Sequence, residues 1–239
     1  MPRLLFLLLV LVAIPASAQP SADALVQTWI RTWDDAAQGL ESVSYDETLT
    51  RTIEGPRGTL NIETQGTLDL FLDQRPRRAV SDAWVNDDRV DLERRSEMER
   101  RLRRALGRAS RDLTRPAPLP IHLLASAEPV GEVRAVRLGA TPAWEVSLLR
   151  PPRRGPAERL TAWFSPSRTS PRLLQIQRDR RLRHRDTLTR VTTYTRIDGL
   201  DIPTSHTVDA QIEQRRRLRT YAMVLHAETT YEAPEITWE

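Results

Sequence analysis

The chain has 239 residues, among them 36 arginines and no lysine, and its 32 acidic side chains leave a formal net charge of only +4. It contains no cysteine, which excludes a disulfide framework and thiolate metal sites. Because the arginines are interleaved with acids instead of clustered against few of them, the composition argues against a nucleic-acid-binding surface.

The N-terminal residues 1–18 are predicted to be an export signal. Arg3 supplies a positive start, residues 4–14 form an unbroken apolar run, and a small-x-small sequence ends at Ala18. This run is shorter than the roughly 20 residues that cross a bilayer. We therefore expect cleavage after Ala18 and a soluble periplasmic chain from Gln19; a retained membrane anchor is the alternative.

Residues 21–38 are predicted to form a helix. Ser21 is a suitable N-cap, and Leu25, Trp29 and Trp33 recur at helical spacing behind it. We expect the two tryptophans to pack against a sheet. An exposed aromatic pair that binds a ligand is the alternative.

The stretch from residue 43 to residue 85 changes to the period of two that indicates half-buried strands. Turn sequences rich in Gly, Pro, Asn and Asp separate its segments. We predict strands over residues 43–53, 59–65, 67–72 and 78–85.

Residues 96–112 are predicted to form an arginine-rich helix, inserted between strands at about residues 90–120. Ser96 and Glu99 have the spacing of a capping box, and Glu97 and Glu99 each precede an arginine by four residues. We expect the arginine face to be solvated. Docking of this face on anionic lipid is the alternative.

A proline-rich connector, residues 115–120, and a short apolar helix, residues 121–125, follow this insertion. Alternation returns over residues 135–138 and 143–149. From residue 158 to residue 231 it continues through Thr-, Val- and Tyr-rich runs. The predicted turns lie at residues 165–167, 179–181, 198–199 and 213–215. Short connections of this kind predict an antiparallel meander.

No sequence motif for catalysis or metal binding is present. The four histidines, His122, His184, His206 and His226, are far apart, and none forms the HxxxH or HxH spacing of a metal site. The chain has no GxSxG or SxxK motif. We therefore expect neither a metal, nor a cofactor, nor an enzyme activity.

Several strands carry large apolar residues on both faces, such as Leu70 beside Phe71 and Trp163 beside Phe164. Two-sided hydrophobicity in antiparallel strands fits a sheet wrapped around a ligand cavity. The candidate cavity residues are large and lie in the middle of strands: Leu70, Trp84, Trp144 and Phe164.

The sequence also resembles the outer-membrane lipoprotein-sorting superfamily (LolA/LolB-like). A tryptophan-containing first helix, Thr-rich alternation and the strand end "FLDQRPRR" are similar to the start of that family, through Phe71, Arg75, Pro76 and Arg78. The second half resembles it in "LTAWFSPSRTSPRLLQIQRD" and "VTTYTRIDGLDIPTSHTV", through Trp163, Pro166, Pro171, Tyr194, Gly199 and Pro203.

This resemblance implies a mainly β (α+β) fold, an incomplete and strongly curved antiparallel β-barrel. We expect about ten strands in a single domain, residues 19–239, with helices 21–38 and 96–112 covering its concave face. The resemblance implies a periplasmic, non-catalytic carrier, or chaperone, for acyl chains or a lipidated partner. The alternative is an envelope interaction or regulatory module, on envelope proteins or the membrane surface, with no obligatory ligand.

Overall fold

A computed structural model of the chain describes residues 19–56, 58–106, 113–151, 157–181, 186–216 and 219–239. The export signal predicted at residues 1–18 lies outside the described residues, as do residues 107–112 at the end of the predicted arginine-rich helix. Cleavage after Ala18 stays a prediction.

One antiparallel sheet contains all twelve strands of the described ranges. The strands are β1 (Leu40–Gly55), β2 (Gly58–Phe71), β3 (Arg77–Val85), β4 (Asp88–Arg89), β5 (Glu128–Pro129), β6 (Arg134–Leu138), β7 (Thr141–Arg150), β8 (Glu158–Phe164), β9 (Leu173–Arg181), β10 (Thr187–Ile197), β11 (Leu200–Arg216) and β12 (Arg219–Trp238). Their order is β4-β3-β2-β1-β12-β11-β10-β9-β8-β7-β5, and β6 also pairs with β7. The sheet is not closed, which confirms the predicted incomplete barrel.

Strand β2 runs without interruption through Gly66, where the sequence analysis placed a break between two strands. Ser81 is an extra residue on β3 at this point, since Gln65 pairs with Asp82 and Gly66 with Val80. A Cβ on Gly66 would lie 2.0 Å from the carbonyl oxygen of Ala79. Glycine is therefore needed here for close approach of the neighbouring strand, not for a chain break.

Two turns predicted in the meander are wrong. Residues 179–181 belong to β9, where Arg180 pairs with Leu188, and residues 213–215 belong to β11, where Arg215 pairs with Thr220. Charged residues indicated turns in the sequence, but cross-strand pairing extends the strands through them. The turn at Asp198 and Gly199 is confirmed, with φ of +50° and +85°.

Helix α1 (Ala22–Ala36) covers one end of the sheet, as predicted. The backbone NH of Ala24 donates to Ser21 Oγ at 3.1 Å, which confirms the N-cap. Trp29 and Trp33 are buried, and the Trp29 ring lies 6.3 Å from that of Phe164 on β8. The tryptophans therefore pack against the sheet.

Helix α2 (Leu92–Leu106) begins four residues before the predicted start. Its N-cap is Asp91, whose Oδ1 accepts from the backbone NH of Arg94 at 2.7 Å. The capping box predicted at Ser96 is wrong, because Ser96 lies inside the helix. A residue one turn into a helix cannot cap the first-turn amides.

Of the two ion pairs predicted along α2, one forms. Arg101 binds Glu97, but Glu99 binds Arg51 of β1, with Nη2 and Oε1 2.5 Å apart, instead of pairing with Arg103. Arg51 is buried, so the pairing of Glu99 with the sheet replaces a pairing along the helix.

Two apolar clusters lie under the helices. The first joins α1 and the short helix α3 (Ile121–Leu124), which agrees with the predicted apolar helix, to β1, β2 and β7–β12. The second joins α2 to the far ends of β1, β2 and β10–β12. The two long helices thus cover opposite ends of the concave face.

The buried carboxylate of Asp201 links α1 to the sheet. Its Oδ2 accepts from Trp29 Nε1 at 2.7 Å and from the backbone NH of Leu173 at 2.8 Å. Arg196 donates to both oxygens, at 2.9 and 2.7 Å. One side chain thereby joins the helix to β9, β10 and β11.

The position of the α2 cap can be tested with two alanine variants. Asp91→Ala should lower the free energy of unfolding by about 1 kcal/mol, because a helix loses its N-cap. Ser96→Ala should change it by less than about 0.5 kcal/mol. Urea denaturation of the two variants compares them directly, and a larger loss from Ser96→Ala would restore the capping box.

The Asp201 contact can be tested with Asp201→Asn. This variant keeps the shape but leaves the Arg196 guanidinium without its carboxylate, so it should cost about 3 kcal/mol or more. Asp198→Asn, an exposed turn position, is the matched control and should stay within about 0.5 kcal/mol. Equal melting temperatures for the two variants would contradict the role of Asp201.

Candidate functional site

A polar layer separates the two apolar clusters on the concave face. Buried polar residues lie at core-facing positions of strands β1 and β10–β12, namely Glu47, Arg190, Thr192, His206 and Thr229. Thr192 pairs with His206 across β10 and β11, and His206 pairs with Thr229 across β11 and β12. Because side chains alternate along a strand, these groups point inward with their apolar neighbours.

A cavity of about 960 Å³ opens beside this layer. It lies between β2 and β3 on one side, the segment of residues 115–123 on another, and β7–β10 opposite. The connector within that segment is fixed to the sheet, since the backbone NH of Ala117 donates to Tyr231 Oη at 2.8 Å. The volume is at the upper end of the range of about 300–1,000 Å³ that is usual for small-molecule sites.

The lining of the cavity has an apolar wall and a cationic wall, which share its sides. The apolar wall contains Leu68, Leu70, Leu119 and Leu123, all buried, together with prolines. Seven arginines also line the cavity: Arg75, Arg78, Arg115, Arg150, Arg178, Arg180 and Arg190. Among the described lining residues, Glu158 is the only acid.

Glu158 lies at the start of β8 between guanidinium groups from both neighbouring strands. Arg178 of β9 donates through Nε and Nη2 to Oε1, at 3.2 and 2.9 Å. Arg150 of β7 reaches Oε2 through Nη1 at 3.5 Å, and Arg190 Nη1 lies 4.0 Å from Oε1. One carboxylate therefore faces three arginines.

Burial lowers the pKa of Arg150, and the nearby charge of Arg178 lowers it further. Glu158 acts in the opposite direction, and the charge of Arg115 adds to the lowering. A cation whose pKa is lowered by two other cations lies in positive surroundings. The cavity wall thus has an excess of positive charge where the side chains are partly buried.

The other buried acid near the cavity is Glu47 of β1. It binds Arg78, whose Nη2 donates to Oε1 at 2.7 Å, and Arg78 Nη1 donates to the carbonyl oxygen of Thr114 at 2.6 Å. Burial raises the pKa of Glu47, against the lowering by Arg78. This pair joins the cavity wall to the segment that follows α2.

The side chain of His206 is held in its neutral form. It is 2 % exposed, and its Nδ1 lies 2.8 Å from Thr192 Oγ1. Burial lowers its pKa from 6.5 to about 3, and the charges of Arg190, Arg178 and Arg78 add to this lowering. The positive cavity wall therefore acts on the polar layer as well.

The structure places the four residues predicted to line a cavity in three environments. Leu70, Trp144 and Phe164 are all buried in the first apolar cluster. Leu70 also borders the cavity, and Phe164 packs against Trp29 of α1. Trp84 follows the buried Ala83 on β3, so its side chain points to the opposite face of the sheet. These four residues are not brought together around one space.

The arginines of the cavity wall were not among the cavity residues predicted from the sequence. Their signal was present, because Glu158 shares a parity with Leu160 and Ala162, and Arg178 shares one with Ile176. Charged residues at core-facing positions of strands are rare unless they are paired or line a cavity. In the sequence, the arginines were considered only for the net charge of the chain and for the solvated face of the predicted helix.

Within the described ranges, no group of three or more His, Asp or Glu side chains could hold a metal ion. No helix in the described part of the chain is both long and apolar enough to span a membrane.

Comparisons with known proteins relate this chain to other structures only at low sequence identity. No protein-family model and no curated protein matches the sequence. A domain from Vibrio parahaemolyticus, described as an outer membrane lipoprotein-sorting protein, matches with a TM-score of 0.41 and 8% identity, over 90% of this chain and 93% of that one.

Two further solved structures match at lower scores. A DUF1329 family protein from Desulfovibrio piger has a TM-score of 0.33 and 12% identity, with coverage of 90% of this chain and 95% of that chain. MucB, solved in complex with MucA(peri), has a TM-score of 0.17 and 12% identity, with coverage of 85% and 93%.

The burial of His206 predicts an acid-dependent loss of stability. The pKa of this histidine is lower in the folded chain, about 3, than its ordinary value of 6.5. The unfolded chain therefore binds the extra proton first as the pH falls. The stability contribution is complete above pH 6.5 and is lost as the pH falls from 6.5 towards 3, at up to about 1.4 kcal/mol per pH unit.

His206→Gln removes this titration while keeping a polar side chain. Urea denaturation between pH 7.5 and pH 4.5 should show a smaller loss of stability for His206→Gln than for the unaltered protein. His226→Gln is the control, because His226 is exposed and borders Asp209 at the surface. Parallel pH profiles for the unaltered protein and His206→Gln would contradict the prediction.

Proposed function

We propose that this chain is a periplasmic binding protein without catalytic activity, which takes up the acyl chains of a lipidated partner or another amphiphile. The observation that carries the proposal is the cavity of about 960 Å³ with its wall of buried leucines. The export signal expected at residues 1–18 supports the location. The pairing of β1 with β12 supports a single domain over residues 19–239.

The arrangement of the helices explains why a ligand space exists here. Helix α1 covers one end of the concave face and α2 covers the other, and the cavity lies between them, beside the polar layer. An acyl chain that enters the cavity beside Leu68, Leu70, Leu119 and Leu123 would transfer its own apolar surface out of water, at roughly 25 cal/mol per Å². The acyl chain would bind non-covalently.

The proposal can be tested by filling the cavity. Leu123→Trp adds volume where the cavity has room, so the variant should keep its melting temperature within a few degrees while binding of a fluorescent, uncharged monoacylglycerol falls at least about tenfold. Fluorescence titration and a thermal melt on the same sample measure both quantities.

Leu188→Trp is the matched control. Leu188 is equally buried but belongs to the second apolar cluster, away from the cavity. Overpacking a closed core costs about 1–3 kcal/mol, so this variant should melt lower and still bind the probe where it is folded. Absence of binding of both this probe and an anionic acyl-chain lipid to the unaltered protein, or undiminished probe binding by Leu123→Trp, would overturn the proposed function.

A further inference from the structure

The cavity is lined by more arginines than its acidic side chains can neutralise. Arg78 is matched by Glu47. Leaving that pair and Arg190 aside, five arginines of the cavity remain, Arg75, Arg115, Arg150, Arg178 and Arg180, with Glu158 as the one acid among the described lining residues. A cavity for acyl chains alone would have no use for such an excess.

The arginines of this wall are not all ordinary solvated side chains. The side chain of Arg178 is 10% exposed and that of Arg150 is 32% exposed. Each partly buried cation loses hydration, and an opposite charge must offset that loss. Arg178 donates three hydrogen bonds to Glu158, two to Oε1 and one to Oε2 at 3.1 Å, so the contact of Oε2 with Arg150, at 3.5 Å, is the longer one.

Two of these cations lie on paired strands of the sheet. Arg150 pairs with Glu158 in the β7–β8 register, and Arg178 lies on β9, the next strand. Arg115 reaches the same cavity from the connector that is fixed to Tyr231. The planar guanidinium group binds phosphate and carboxylate through paired hydrogen bonds, which makes this a prearranged anion site.

We propose that Arg115, Arg150 and Arg178 bind the phosphate or carboxylate head group of an anionic acyl-chain amphiphile, whose chain lies along the leucine wall. This inference rests on the proposed function and specifies its ligand. Glu158 competes with the ligand anion for both Arg178 and Arg150. The cavity therefore favours a ligand that has an anionic group at one end and an apolar chain at the other.

The experiment compares three probes on the purified protein by isothermal titration. They are an uncharged monopalmitoyl glycerol, the anionic palmitoyl lysophosphatidic acid, and inorganic phosphate. The anionic lipid should bind at least about tenfold more tightly than the uncharged one, in line with charge-assisted hydrogen bonds. Its advantage should shrink as salt rises, because salt screens the charges. Inorganic phosphate should bind far more weakly than the lipid.

Two charge-removing variants locate the head group. Arg150→Gln and Arg115→Gln should each reduce the advantage of the anionic lipid by about three- to tenfold and leave the uncharged probe unaffected. Arg137→Gln is the control, because Arg137 is exposed on β6 and does not line the cavity. Arg137→Gln removes the same charge outside the cavity, so the affinity for the anionic lipid and that for the uncharged lipid should both stay unchanged.

Glu158→Gln separates ligand binding from a purely structural role of the cluster. Removing the carboxylate should lower the melting temperature, and anionic lipid should raise it by more than in the unaltered protein, because binding to the folded state stabilises it. If the variant is destabilised and the lipid gives no greater rescue, the arginines serve only the fold. If Glu158→Gln does not fold, the Arg115 and Arg150 variants decide.

The failures of the two proposals are distinguishable. Equal affinity for charged and uncharged lipids would overturn the anionic head group and leave the acyl-binding function standing. Binding of inorganic phosphate as tight as that of the anionic lipid would show a site for free anions and overturn the amphiphile. Binding of neither lipid would overturn both proposals.

Discussion

Pairing of carboxylates with arginines inside the half-barrel is the constraint on which this structure depends. Asp201 binds Arg196 and joins α1 to the sheet, Glu99 binds Arg51 and joins α2 to it, and Glu47 binds Arg78 beside the cavity. A buried charge without a partner costs several kcal/mol. The helices can therefore cover the concave face only in the positions where these pairs form.

The position of the helices decides where the sheet can bind a ligand. An open antiparallel sheet of long strands has more concave surface than two helices of fifteen residues can cover. The two apolar clusters lie under the helices, and the polar layer and the cavity lie between them. A closed core would exclude water from this region, whereas here the charged groups keep it polar on one wall. The leucines and the arginines therefore line one shared space.

The amphipathic character of the cavity connects the proposed function with the inferred ligand. Leu70 and Leu123 can hold an acyl chain, and Arg150 and Arg178 can hold an anion, within one space. Glu158 keeps the arginines together, since Arg178 and Arg190 are direct neighbours across β9 and β10 and like charges at such positions repel each other. The same carboxylate thus contributes to stability and limits affinity.

Much of the fold could be read from local sequence. The alternation of residues 43–85 and 158–231 indicated the antiparallel strands, and the helical spacing of Trp29 and Trp33 indicated which face of α1 is buried. These features depend on neighbouring residues along the chain, which share a fixed period within one element. The start of α2 was missed because Asp91 and Ser96 are both suitable caps, and the apolar positions that follow do not separate the two.

The cavity depended on contacts that local sequence does not contain. Strand parity showed that Leu70 and Phe164 have large apolar neighbours on the other face, but not that α1 would pack on Phe164 while Leu70, equally buried, would border the cavity. Cross-strand register placed Arg150 opposite Glu158 and Arg178 opposite Leu160, diagonal to Glu158, although the three charged residues come from separate strands. Sequence by itself thus determined the strands, the first helix and the class of fold, because periodicity is local. Only the tertiary structure decided which apolar residues are core and which charges meet, because those outcomes depend on how distant strands pair and where the helices pack.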